Sequence, residues 1–170
     1  ANIAAMNFHD HRGAKVDNLL ADFTYTKKNI RLEKLEVRTP ESYLNGQVIL
    51  KYDRDNNDFS DFNNKVKFEV AIDSATLSTN DIRYFYKELD KNQKFYLNAK
   101  INGTMNDFYA TNMYLRDRKN SIIKGDVNFK NLFPRSPGSF YMKGDFDKIS
   151  SNYSDLTILR KTASGMLTTP

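Results

Sequence analysis

A short phrase that recurs along the chain restricts its possible folds more than any other feature. Residues 121–130 are a short apolar run, then Lys-Gly-Asp, then an alternation in which Val127 and Phe129 are separated by polar side chains. Residues 140–146 repeat this phrase almost residue for residue, and residues 43–48 and 99–104 have the same shape. Such alternation is typical of β-strands, and a glycine inside it indicates a bulge, a bend or a close backbone approach, here at Gly125.

A longer unit also repeats. Residues 35–38 followed by residues 42–50 resemble residues 113–116 followed by residues 121–129. The repeats therefore predict a series of strand-turn-strand units, and they constrain the fold more strongly than any single motif.

Further strands are predicted wherever apolar residues alternate with polar ones. The alternating segments are residues 3–8, 19–25, 30–38, 44–52, 65–72, 95–102, 108–115 and 139–146. Between Leu32 and Leu35 the apolar residues change parity, which predicts a bulge near Glu33 and Lys34. In residues 65–72, Val66, Phe68, Val70 and Ile72 are expected on one face and Lys65, Lys67, Glu69 and Ala71 on the other.

One segment has helical periodicity instead. Ile82, Phe85, Tyr86 and Leu89 follow the i, i+3, i+4, i+7 spacing of an amphipathic helix. Ser78 or Thr79 can cap its start. The sequence therefore predicts one short helix near residues 80–89.

Composition and charge narrow the class of protein. The chain has 12 Phe, 10 Tyr and no Cys, so it favours strands and excludes disulfides and thiol chemistry. A net charge of +5 favours an anionic partner such as a lipid surface, but the basic residues are dispersed and no nucleic-acid partner is predicted. No run approaches the ~20 apolar residues of a membrane helix. We expect residues 1–170 to be a single β-segment of a longer protein.

No catalytic site is predicted. The chain has no nucleophile-base-acid arrangement in a known motif and no phosphate-binding glycine loop. His9 and His11 lack further ligands at a metal-site spacing, and residues 53–58 resemble a calcium loop that lacks its essential Gly and Glu, so we read them as a polar hairpin loop. We therefore expect no enzyme activity, no cofactor and no metal.

The predicted strands impose a physical requirement on the fold. Nearly every strand has one apolar and one polar face, and an apolar face of that size must be covered. One short helix cannot cover it. The fold is therefore mainly β, and two solutions remain: a long curled antiparallel sheet whose apolar face lines a groove, or a β-sandwich of two packed sheets.

One tripeptide suggests a site of covalent modification. Asp73-Ser74-Ala75 resembles a short O-glycosylation acceptor that some bacteria use on periplasmic proteins. The alternative is an ordinary turn at the end of a strand.

Taken together, several phrases resemble one family. Residues 73–77, the helical residues 80–85, residues 97–103 and residues 123–126 occur in the order and spacing of the TamB-like (translocation and assembly module) proteins, which are related to the AsmA-like proteins. The resemblance covers about residues 16–153, and its individual motifs are degenerate. The family's membrane anchor and its C-terminal domain have no counterpart in this chain.

This resemblance implies a taco-like β-groove with an apolar lining. It implies a periplasmic location, inner-membrane anchoring in the full-length protein, and a role in moving phospholipid towards the outer membrane or in outer-membrane protein assembly. The implied partners are phospholipid acyl chains and an outer-membrane assembly protein of the TamA/BamA type. The alternative is a passive binding or assembly module of an envelope or secretion complex. The positions expected to line the groove are Phe23, Val66, Phe68, Val70, Leu97, Ile101, Val127 and Phe129.

Overall fold

The alternating segments form one antiparallel sheet. The structure, a computed structural model, describes residues 2–9, 13–84, 87, 89–131 and 141–150. These contain nine strands that lie side by side in their order along the chain. The strands are β1 (Asn2–His9), β2 (Lys15–Tyr25), β3 (Asn29–Arg38), β4 (Tyr43–Lys51), β5 (Lys67–Ser78), β6 (Lys94–Thr104), β7 (Asp107–Asp117), β8 (Ile122–Lys130) and β9 (Tyr141–Ser150).

The predicted fold class is confirmed. The chain is mainly β, and its strands form one curled antiparallel sheet. Substantial contacts between strands join only neighbours in the sequence, so the described residues do not form the two packed sheets of the sandwich alternative. Among these residues, β1 and β9 are the edges of the sheet.

A line of bulges crosses the sheet near the middle of its strands. The register places an extra residue on β3, β5, β7 and β9. Lys34 in β3 and Asn112 in β7 have positive φ values of 50° and 51°. Small residues lie opposite the bulges on the even strands: Ala21, Gly46, Ala99 and Gly125. Because bulges bend a strand and increase its twist, bulges aligned at one level explain the curl of the whole sheet.

Two expectations about individual residues are confirmed by this line. The predicted bulge near Glu33 and Lys34 is present. Gly125 has φ +148°, and a Cβ built on it would lie 2.2 Å from the carbonyl oxygen of Asp145 in the neighbouring strand. It is therefore a close backbone approach that only glycine permits.

The strand predicted at residues 65–72 is shifted. β5 begins at Lys67 and continues to Ser78, because the bulge at Asp73–Ser74 changes the parity of the apolar residues and hides the second half of the strand from a simple alternation. Lys65 instead ends a short helix. Asp73–Ser74 consequently lies inside a strand, and the expectation of a strand-end turn there is wrong.

The helices differ from prediction in length and number. α2 (Thr79–Ile82) lies at the start of the predicted helix, and the Ser78 hydroxyl caps it by accepting the Asn80 N–H at 3.2 Å. Phe85 and Tyr86, half of the predicted stripe, lie outside the described residues. A second helix, α1 (Phe62–Lys65), which was not predicted, follows a 3₁₀ turn at Asp58–Asp61, directly after the expected polar loop at residues 53–58.

Candidate functional site: the apolar face of the sheet

One face of the sheet is apolar from β2 to β9, and the strand register shows it directly. Residues directly opposite each other in an antiparallel pair project from the same face. Following those partners across the sheet gives an unbroken apolar row: Phe23, Leu32, Val48, Val70, Ile101, Ala110, Val127 and Gly144. At ~4.8 Å per strand, the row is about 34 Å long.

Two more rows of the same face lie on either side of the line of bulges. Towards α1 the partners are Tyr25, Ile30, Leu50, Phe68, Gly103, Phe108, Phe129 and Met142. Towards α2 they are Leu19, Val37, Leu44, Ala75, Leu97, Leu115, Ile123 and Ile149. We call the surface formed by these three rows and the small residues of the bulge line the apolar face, and the opposite surface the polar face.

The structure brings seven of the eight predicted lining residues onto the apolar face. Phe23, Val70, Ile101 and Val127 share the first row, Phe68 and Phe129 share the second, and Leu97 lies in the third. Val66 differs: it precedes β5, its N–H donates to the Phe62 carbonyl oxygen at 3.2 Å, and it is fully buried. A side chain without exposed surface cannot line an open groove, so Val66 is a core residue beside α1.

Leu32, Val48, Phe108 and Ala110 also belong to the apolar face but were not singled out from the sequence. Their alternation was visible in the sequence, whereas their alignment into rows depends on register. Register across a bulge requires the tertiary structure.

The two faces differ in burial at the line of bulges. On the apolar face, Leu35 is 4% exposed and Ala99 is 5% exposed. At the same level of the polar face, Asp73, Ser74 and Lys100 are exposed. Away from this line, most large side chains of the apolar face are only half-buried. Among the described residues, no second layer covers them.

Aromatic side chains gather at the α1 end of the strands. Tyr52 lies 4.5 Å from Phe59 between ring centroids, and Phe59 lies 6.4 Å from Phe62. The Tyr52 hydroxyl donates to the Thr26 carbonyl oxygen at 2.8 Å, and burial together with the nearby Tyr25 raises its pKa. Tyr52, Val66 and Phe68 are buried at this end, close to α1 in the chain or through the Tyr52–Phe59–Phe62 ring contacts.

A hydrogen-bonded polar cluster holds the α2 end. Asp81 in α2 accepts bonds from the Thr39 and Ser42 hydroxyls, at 2.5 and 2.6 Å, in the turn between β3 and β4. Glu41 in the same turn accepts bonds from Asn80 and Ser78, and these bonds lower the pKa of its carboxyl group. The cluster fixes α2 over a neighbouring turn, and nothing in it resembles a catalytic arrangement.

The polar face carries charged side chains that form cation–π contacts and an ion pair. The guanidinium of Arg38 lies 4.6 Å from the Tyr43 ring, and that of Arg116 lies 4.6 Å from the Tyr96 ring. Lys51 pairs with Glu69 across β4 and β5. This face therefore meets water, as its alternation with the apolar rows requires.

Within the described part of the chain, no group of three or more His, Cys, Asp or Glu side chains is arranged to hold a metal ion. No helix formed by these residues has the length and hydrophobicity needed to cross a bilayer.

Comparison with known proteins adds no family assignment. No protein-family model, no curated protein and no solved structure matches this chain.

Proposed function

We propose that this chain is a segment of a hydrophobic groove that carries phospholipid between the inner and outer membranes of a bacterial envelope. The observation that carries the proposal is the apolar face, in whose three aligned rows most large side chains are only half-buried. Contiguous exposed apolar surface in a soluble domain marks an interaction site, because leaving it in water is costly.

The dimensions of the face suit acyl chains. The hydrocarbon core of a bilayer is ~30 Å thick, so one leaflet contributes acyl chains that span about 15 Å. A row of about 34 Å therefore exceeds the length of such a chain. Nonpolar side chains without convergent polar groups favour alkyl chains over a polar ligand.

The groove runs perpendicular to the strands. The apolar rows cross the strands, so each strand contributes about 4.8 Å to the length of the groove. The line of bulges bends the strands, which makes the sheet concave. The sheltered small residues at that line support the apolar face as the inner side of the curl. The family resemblance supports a periplasmic location, an inner-membrane anchor elsewhere in the full-length protein, and a partner of the TamA/BamA type. It also supports a contribution to outer-membrane protein assembly.

The test is to place one charge on each face at adjacent residues. Ile101 is half-buried in the central row, and Asn102 is exposed on the polar face. Ile101→Asp is expected to abolish binding of a phospholipid with labelled acyl chains, because an unpaired charge next to hydrocarbon loses hydration. Asn102→Asp adds the same charge and should bind lipid like the wild type.

Thermal melting and circular dichroism accompany the binding measurement, and Ile101→Ser serves as a milder variant if the carboxylate unfolds the sheet. Equal lipid binding by folded Ile101→Asp and Asn102→Asp, or no binding by the folded wild type, would reject the groove. In cells, outer-membrane permeability should change only for the Ile101 variant.

A further inference from the structure

A second candidate site lies on the polar face, in the bulge of β5. Ser74 has a register partner on β4, Asn45, but Asp73 has none there. Towards β6, the pairing passes from Ile72 directly to Ala75, so neither Asp73 nor Ser74 has a partner. These two residues therefore protrude from the ladder without interrupting the core of the sheet.

The Ser74 hydroxyl is available, unlike those of nearby serines. Ser74 is exposed and makes no side-chain hydrogen bond with the described residues. Ser42 instead donates to Asp81, and Ser78 donates to Glu41. A nucleophilic hydroxyl held in a hydrogen bond must lose that bond to react, whereas Ser74 has none to lose.

The surface around Ser74 suits a polar adduct. Asp73, next to Ser74, lines two open depressions of about 480 and 220 Å³. The larger includes Glu36, Asn45 and Gln47, and the smaller includes Asn98, Lys100 and Asn112. Amide, carboxylate and ammonium groups can donate to or accept from the several hydroxyls of a sugar. The surface of the larger depression is mainly polar, so it does not suit an acyl chain.

We propose that Ser74 is an O-glycosylation site. The tripeptide Asp73-Ser74-Ala75 resembles a short bacterial acceptor, and the structure places its hydroxyl at a bulge, on an exposed residue next to Asp73, which lines a mainly polar depression. The co-reactant is a glycosyl donor whose anomeric carbon carries a pyrophosphate leaving group. Ser74 Oγ bonds to that carbon, the bond to pyrophosphate breaks with its electron pair, and the hydroxyl proton passes to a base of the transferase.

The location is compatible with the rest of the molecule. A glycan is bulky and hydrophilic, so it must lie on a water-exposed surface. Ser74 projects from the polar face, whereas its neighbour Ala75 is 5% exposed in an apolar row. The glycan would therefore leave the apolar face free. The inference does not depend on lipid carriage, because it concerns the opposite side of the sheet.

The test is the intact mass of the protein purified from its native host, followed by peptide mapping. We expect a mass above that of the polypeptide by one or more sugar residues, with the whole increment on the peptide that contains Ser74. Ser74→Ala should return the protein to the polypeptide mass, and Ser74→Thr, which keeps a hydroxyl, should retain the increment.

Two variants separate the acceptor motif from simple exposure. Thr24 is a matched control: it is exposed on the same face, makes no side-chain hydrogen bond with described residues, and follows Phe23 instead of an acidic residue. Thr24→Ala should keep the full increment. Asp73→Asn keeps the hydroxyl exposed but removes the carboxylate, and should lose the increment.

Several outcomes would overturn the proposal: wild-type protein at the polypeptide mass, an increment that survives in Ser74→Ala or Asp73→Asn, or an increment without sugar. Unfolding is monitored by circular dichroism. Lipid binding by Ser74→Ala should equal that of the wild type, so failure of the glycosylation proposal and failure of the groove proposal are distinguishable.

Discussion

Phe68 and Phe108 meet although a whole strand lies between them. Phe68 in β5 is opposite Gly103 in β6, and Gly103 is opposite Phe108 in β7. The ring centroids are 5.9 Å apart, and Phe108 stacks in turn on Phe129 at 5.0 Å. Because Gly103 has no side chain, the rings close over it and form a continuous aromatic surface from β5 to β8.

This packing predicts that replacing Phe68 destabilises the fold. Its side chain is 9% exposed, so Phe68→Ala should lower the free energy of unfolding by about 3–5 kcal/mol through lost burial and a residual cavity. Urea denaturation measures the change. Phe59→Ala is the control variant. Because Phe59 is 46% exposed, this substitution should lower the free energy of unfolding clearly less than Phe68→Ala. Equal costs would show that the rings do not pack over Gly103 in solution.

The two copies of the Lys-Gly-Asp phrase should respond differently to the same substitution. Gly125 has φ +148°, and an added Cβ would collide with the backbone of Asp145. Gly125→Ala should therefore cost about 1–3 kcal/mol from backbone strain alone. At Gly144 an added Cβ meets the ring of Phe146, a side chain that can turn away. Gly144→Ala should cost less, as measured by thermal melting, and the reverse order would contradict the bulge geometry.

The attachment of α2 depends on one carboxylate. Asp81 accepts hydroxyl bonds from Thr39 and Ser42, both to the same oxygen. Asp81→Ala should lower the free energy of unfolding by about 1–3 kcal/mol, because two donors lose their charged acceptor. Hydrogen exchange should accelerate at residues 79–84. Asp90 is exposed and has no side-chain bond to the described residues, so Asp90→Ala should change neither quantity.

The pKa of Glu41 predicts a pH dependence of stability. Hydrogen bonds from the side chains of Asn80 and Ser78, of which the Asn80 bonds contribute more, lower the pKa of the Glu41 carboxyl group in the folded state. The unfolded chain therefore binds a proton at higher pH than the folded protein. The stabilisation is fully present above the ordinary glutamate pKa of about 4.3 and is lost as the pH falls through the lowered folded value. Glu41→Gln should flatten this part of a melting-temperature profile, and an unchanged slope would exclude Glu41 as its source.

Much of the secondary structure could be predicted from local pattern. Alternation identified the strands, because side chains in a strand point to opposite faces with a period of two. The parity change after Leu32 located the bulge in β3, and the glycine phrase located the close approach at Gly125. Alternation and its change of parity depend on neighbouring residues alone, whereas the partner of Gly125 in its close approach, Asp145, is set by the pairing of β8 with β9.

The errors have a common physical origin. The strand predicted at residues 65–72 ended too early because of the bulge at Asp73–Ser74. An extra residue at a bulge reverses the alternation of apolar and polar residues that identifies a strand. α1 was not predicted, because residues 62–65 show no helical periodicity, whereas the ring contacts of Phe59 with Tyr52 and with Phe62 depend on folding. Val66 was placed in the groove because its parity matched that of Phe68, although it lies directly after α1 and is fully buried.

By itself, the sequence determined that this protein is a repeated antiparallel β-structure with one apolar side, because alternation and turn residues act locally. Three properties became clear only from the folded protein: the bulges align, seven of the eight expected lining residues share one face, and the described strands form one curled sheet. Those properties depend on the register between strands far apart in the chain. A shift of one residue would move a whole row to the other face, and no local pattern specifies register across a bulge.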